Sequence, residues 1–114
     1  SYQIKRRDGV DQMQAQIVIN DKEVEITGEG RGVLEAFVAA LATHTGEHFV
    51  IIDYNEHTMG SDEGSEAMAY VQISMNQQRF CGAGRSRDIL GASFNAVLAA
   101  VTRARAQEKQ RSAA

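Results

Sequence analysis

An internal repeat is the strongest constraint on what this chain can fold into. Ala15, Ile17 and Ile19 alternate with polar residues and align with Ala69, Val71 and Ile73. In the same register Gly28-Glu29-Gly30-Arg31 falls on Gly82-Ala83-Gly84-Arg85. With a two-residue insertion, Val33-Leu34-Glu35-Ala36 then meets Ile89-Leu90-Gly91-Ala92. An alternating strand, a GxGR segment and an apolar helix recurring in one order imply two copies of one unit, over about 2–46 and 48–110.

Each copy reads as three strands and a helix. In the first, Tyr2–Lys5 forms a short strand and Gly9 lies in a polar turn. Ala15, Ile17 and Ile19 then mark a half-buried strand, and Asn20-Asp21-Lys22 turns it into a partner carrying Val24 and Ile26. Leu34, Phe37, Val38 and Leu41 recur at i, i+3, i+4 and i+7, one face of a helix that Gly46 stops. The second copy opens on Phe49-Val50-Ile51-Ile52, apolar on both faces and therefore expected to be a central strand. A loop rich in Gly, Ser, Asp and Glu is expected from Thr58 to Ser65. Ala67, Ala69, Val71, Ile73 and Met75 alternate through a long strand, and Asn76-Gln77 turns it into Arg79-Phe80-Cys81. A last helix is expected from Ser86 as its N-cap, with Asp88 in its first turn and a stripe of Leu90, Phe94, Val97, Val101 and Ala104. The predicted class is α+β: two pseudo-symmetric βββα units, each antiparallel sheet covered by its helix, within a single domain of 1–114.

At 114 residues the chain falls short of the ~200 that a (β/α)₈ barrel requires. No apolar run reaches the ~18 residues of a membrane span, so a soluble chain with no membrane partner is expected, and a single cysteine fits a cytoplasmic setting. One cysteine, Cys81, forms no internal disulfide and reads as a small buried apolar residue. The chain opens on Ser1 rather than Met, as a piece of a longer protein or a processed chain would. Acids predominate between Asp21 and Glu66. The cations gather at Lys5-Arg6-Arg7, at Arg79, Arg85 and Arg87, and from Arg103 to Arg111, where they complement a helix C-terminus. A pI of ≈ 5.6 and 6% aromatic residues argue against a nucleic-acid partner.

The sequence holds no catalytic constellation and no metal site. His44, His48 and His57 belong to no HExxH pattern, and no CxxC accompanies them. Two stretches are unusual. Gly28-Glu29-Gly30-Arg31-Gly32 is neither GxGxxG nor a P-loop. Glycines where a strand enters a helix would make either a tight turn or a close approach for a small ligand, whose carboxylate could take the helix N-terminal N–H groups. Asp53-Tyr54-Asn55-Glu56-His57 places a carboxylate, a phenol and an imidazole at the end of an apolar strand, as a small-ligand site or as a strand running out to solvent.

These stretches, in this order, resemble the C-terminal regulatory domain of 2-isopropylmalate synthase. The resemblance rests on Gly30-Arg31-Gly32-Val33-Leu34, on Asp53-Tyr54-Asn55-Glu56-His57-Thr58, and on Gly82-Ala83-Gly84 followed by Asp88-Ile89 and Ala92-Ser93. It spans essentially the whole chain and implies two βββα halves. The sequence departs from the family pattern at Arg31, Val33, Thr58 and Cys81, where Asn, Pro, Ala and Trp are common.

The resemblance implies a homodimer-forming feedback sensor for leucine, inactive alone. The catalytic barrel of the parent chain would condense acetyl-CoA with 2-oxoisovalerate using a divalent metal, with no cofactor in this domain. Its effector residues, carried over position by position, are Gly30, Gly32, Val33, Leu34, Ile51, Tyr54, Thr58, Ser65 and Ala67, with Asp53 or backbone carbonyls accepting from the ammonium. Alternatives are an isoleucine sensor of the citramalate synthase type and a ligand-free dimerisation domain, to which Arg31 and Thr58 lend weight. An RNA-binding module would need stacked aromatics, and Phe49, Tyr54, Tyr70 and Phe80 are too scattered.

Overall fold

The computed structural model describes residues 2–59 and 66–113. The chain divides into two compact units, Ser1–His48 and Phe49–Ala114. Each is a βββα unit with a meandering antiparallel sheet, as the repeat predicts.

In the first unit, β1 (Tyr2–Arg7), β2 (Val10–Ile19) and β3 (Lys22–Gly30) pair in sequence order. The connections Asp8-Gly9 and Asn20-Asp21 have both central residues at positive φ, the pattern of a type I′ turn whose twist suits a hairpin. Met13, Ala15 and Ile26 are buried on one face, while Gln12, Gln14, Gln16, Glu25, Thr27 and Glu29 stand exposed on the other. The helix α1 (Val33–Thr45) lies on β3 and β2 and buries Ala36, Phe37, Val38, Ala40 and Leu41 against the apolar face. Gly46 ends it in the left-handed conformation, its N–H donating to the Ala42 carbonyl at 2.8 Å.

In the second unit, β4 (Val50–Met59), β5 (Glu66–Met75) and β6 (Gln78–Ser86) form the sheet, and α2 (Ile89–Ala113) lies on β6 and β5. Ala67, Ala69, Val71, Ile73 and Met75 are all buried beneath the α2 stripe of Phe94, Val97, Val101 and Ala104. Asn76-Gln77 is a third turn with two positive φ values.

Several expectations are corrected. The apolar run from Phe49 to Ile52 does not form a central strand: β5 is central and β4 is an edge. Phe49 is buried, but Val50 and Ile52 are 45% and 42% exposed. The run is apolar on both faces without being covered on both. Thr58 and Met59 belong to β4, and the remainder of the expected 58–65 loop lies outside the described residues. Cys81 is exposed, because it pairs with Gln72 on the outer face while its neighbour Phe80 turns inward opposite Ile73. Asp88, not Ser86, caps α2: its carboxylate accepts from the Gly91 N–H at 2.7 Å, whereas Ser86 still belongs to β6. Among the described residues no helix is long and apolar enough to cross a membrane.

Candidate functional site

The glycine segments serve helix packing first. Gly28 and Gly30 lie inside β3 rather than in a turn. A Cβ on Gly28 would stand 2.5 Å from both the Ala36 carbonyl oxygen and the Ala40 nitrogen, and one on Gly30 would stand 2.6 Å from the Ala36 nitrogen. The second unit repeats the arrangement, with Gly82 against Ala96 and Ala100 and Gly84 against Ala92 and Ala96. In each unit two glycines form a seat on which helix backbone rests directly on strand. The close approach that the sequence suggests is real, but at Gly30 the approaching group is α1 itself.

This seat also corrects the repeat alignment. Ala36 and Ala40 occupy the places of Ala96 and Ala100, so α2 carries one more helical turn at its start than the pairing of Val33 with Ile89 implies. Ser93 sits just beyond that added turn, 1% exposed, its hydroxyl donating to the Ile89 carbonyl at 2.9 Å.

Gly32 differs from the seat glycines. It is the N-cap of α1, in extended backbone with open space where a Cβ would be, and it makes no side-chain cap. Glu35 in the first turn reaches back to accept from the Arg31 N–H at 3.3 Å. Val33 and Leu34 are half-buried beside it. The helix N-terminus thus stays open at Gly32, with the macrodipole favouring an anion there.

In the second unit a β-bulge determines which side chains meet. Ile51 pairs with Ile73 but Asp53 pairs with Gln72, leaving Ile52 as the extra residue. Beyond it the alternation is inverted, so Tyr54, Glu56 and Thr58 share the helix-facing side with buried Val71, Ala69 and Ala67, their cross-strand partners. The Tyr54 hydroxyl lies 2.5 Å from the Ser93 hydroxyl and donates to the Glu56 carboxylate. Burial, reinforced by the bond to Glu56 and its negative charge and opposed by the bond to Ser93, pushes the phenol above its ordinary value near 10. Tyr54 therefore stays protonated at neutral pH.

The predicted residues thus fall into separate groups. Gly30, Gly32, Val33 and Leu34 cluster where β3 enters α1. Ile51, Tyr54, Thr58 and Ala67 share one face of the second sheet. Asp53 is turned to the opposite face, where it borders a groove of about 280 Å³ with Asn55, Tyr70, Gln72 and Cys81. On that face His57 stacks on Tyr70 with ring centroids 5.6 Å apart. Ser65 lies outside the described residues. Sequence reasoning missed Glu56 and Ser93. Glu56 is two residues from Tyr54 and shares its face, a signal that was available, whereas Ser93 comes within reach only through the extra turn of α2. Among the described residues, no group of three or more His, Cys, Asp and Glu side chains could hold a metal ion.

A family model described as the LeuA allosteric (dimerisation) domain matches residues 1–105. The chain belongs to this family. Curated relatives of the LeuA domain in this chain carry the name 2-isopropylmalate synthase. The protein of Mycobacterium leprae (strain TN) is 41% identical over 90 residues, covering 79% of this chain and 15% of that protein. That of Mycobacterium ulcerans (strain Agy99) is 40% identical over 96 residues, covering 84% and 17%. That of Pseudomonas syringae pv. syringae (strain B728a) is 32% identical over 114 residues, covering 99% of this chain and 20% of that protein. The LeuA domain described here thus spans a fifth or less of the length of these relatives.

Proposed function

We propose that this LeuA domain is the leucine-binding, dimer-forming regulatory part of a cytoplasmic 2-isopropylmalate synthase. The parent enzyme would join acetyl-CoA to 2-oxoisovalerate on a metal-dependent barrel elsewhere in its chain, and this domain would contribute no catalytic group and no cofactor. The family membership supports the reading, and the observation that carries it is the row of Tyr54 and Thr58 on the helix-facing side of an edge strand, with Ala67 beside it.

The chemistry suits a small amphipathic amino acid. Ile51 and Ala67, on one face of the second sheet, offer apolar surface to a branched side chain, and the Tyr54 hydroxyl on the same face offers a polar partner. One methyl's placement is worth about 1–3 kcal/mol, enough to rank leucine against isoleucine or valine. Feedback then requires that the effector bind the active and inhibited states of the parent enzyme with different affinity. A second reading, a dimerisation domain without a ligand, is favoured by one observation: the Gly30 position is filled by α1.

Calorimetric titration of this chain with leucine, isoleucine and valine tests the proposal, with sedimentation reporting the dimer. Saturable binding with leucine tightest is expected. An isoleucine preference would instead assign a citramalate synthase parent. No heat and no thermal shift with any of the three would leave the ligand-free dimer.

A further inference from the structure

A strand is held to its register by a buried face or by a short turn. β5 has the first, since Ala67, Ala69, Val71, Ile73 and Met75 are buried in one phase only. β1 has the second, because the two-residue Asp8-Gly9 turn dictates how it meets β2. β4 has neither. Of residues 53–58 only Tyr54 is half-buried, and the other five are exposed on whichever face they lie. Before them Phe49 to Ile52 is apolar throughout, and residues 60–65 separate β4 from β5. As an edge strand, β4 has a single neighbour on which to slide.

The bulge makes a second register available. With Ile52 paired, each later partner changes by one: Tyr54 passes from Val71 to Tyr70, Glu56 from Ala69 to Met68, and Thr58 from Ala67 to Glu66. The outer face keeps an aromatic pair in both registers, His57 stacked on Tyr70 in one and Tyr54 beside Tyr70 in the other. What distinguishes the bulged register is the half-buried Tyr54, whose hydroxyl meets that of Ser93 on α2 at 2.5 Å.

We propose that β4 exchanges between these two registers on β5 and that the Tyr54–Ser93 bond latches the bulged one. The exchange needs no ligand. A ligand that touched Tyr54 and Thr58 together would bind the bulged register alone and draw β4 into it, which makes the strand a means of passing binding on.

Cysteine pairs read the register directly, since a disulfide closes only between adjacent side chains on one face. In a Cys81→Ser background, His57→Cys with Met68→Cys can close in the bulged register, and Glu56→Cys with Met68→Cys only in the other. Arg6→Cys with Gln12→Cys is the control, a mismatch of the same kind in β1. Under mild oxidation the His57–Met68 pair is expected to close fastest and the Glu56–Met68 pair more slowly. The Arg6–Gln12 pair should be at least about tenfold slower again, because it must wait for unfolding. Adding Tyr54→Phe or Ser93→Ala is expected to speed the Glu56–Met68 closure about fivefold, the worth of one hydrogen bond, and to leave the control unchanged. Closure of Glu56–Met68 no faster than the control would mean that β4 keeps one register, and would overturn the proposal. Closure that neither Tyr54→Phe nor Ser93→Ala accelerates would overturn the latch. Both results are read without ligand, so they stand whether or not an amino acid binds.

Discussion

The two units share the seat beneath the helix and differ at the edge strand. In both, paired glycines bring strand and helix backbones into direct contact, and alanines supply the helical side of that contact. At the edge, β1 is a straight six-residue strand whose register with β2 runs without interruption from Tyr2 to Arg7. β4 has ten residues, one of them bulged, and carries Tyr54 and Glu56. A repeat constrains what both copies need in order to fold, and leaves each copy free to change where folding does not depend on it. Here the seat is common property, and what sets the second unit apart, the contacts of Tyr54 with Glu56 and Ser93, lies at its margin.

The largest expected effect breaks what the units share. Gly82→Ala sets a Cβ 2.1 Å from the Ala96 carbonyl oxygen, where only backbone movement can relieve it, and should destabilise the domain by about 3 kcal/mol or more in urea unfolding. Gly28→Ala, at 2.5 Å from its neighbours, should cost comparably. Gly32→Ala meets nothing within 4 Å and should cost less than about 1 kcal/mol, which separates seat glycines from junction glycines. Equal costs at all three would refute the seat.

Asp88→Ala addresses the extra turn of α2. Loss of the bond to the Gly91 N–H should cost about 1 kcal/mol, measured in the same way. A smaller effect is expected from a turn. Asp8-Gly9 in the first unit has glycine at its second left-handed position, whereas the Asn76-Gln77 turn places Gln77 at φ 66. Gln77→Gly should therefore raise stability by up to about 1 kcal/mol, whereas substitution of Gly9 should lower it.

The smallest effect is specific to Tyr54. Because its phenol is raised above its unfolded value, the folded state holds that proton more tightly. The resulting stability is complete below about pH 10 and is lost as pH rises through the folded value. Tyr54→Phe should flatten the alkaline decline of stability and leave the neutral-pH profile unchanged in shape. An unchanged alkaline slope would show that the phenol is not held as described.

Much of this was legible before any coordinates. The i, i+3, i+4, i+7 apolar positions of α1, the alternation of β5 and the Asn-Asp and Asn-Gln turns each have a local physical cause, and all three appear as read. What was not legible depends on position across space. Alternation reveals a strand's phase only where polar and apolar residues alternate, and from Phe49 to Ile52 every residue is apolar, so the bulge left no trace. The facing of Asp53 and Tyr54 was hidden for the same reason. Gly28 and Gly30 read as a junction because glycine is disfavoured in strands, and the helix that makes them necessary lies several residues later in the chain. The exposure of Cys81 follows from its register opposite Gln72, which its own flanking residues do not report.

The bulge at Ile52 also sets how this site can be lost. On either side of it β4 is read in opposite phase, as text is on either side of an inserted letter. If β4 instead paired with β5 without the bulge while keeping Ile52, every later residue would move by one: Tyr54, Glu56 and Thr58 would turn to the outer surface and Asp53, Asn55 and His57 toward the helix, with no side chain of the site altered. A chain could therefore lose this arrangement without replacing any residue that forms it. A slip of one in the pairing of β4 with β5 would be enough.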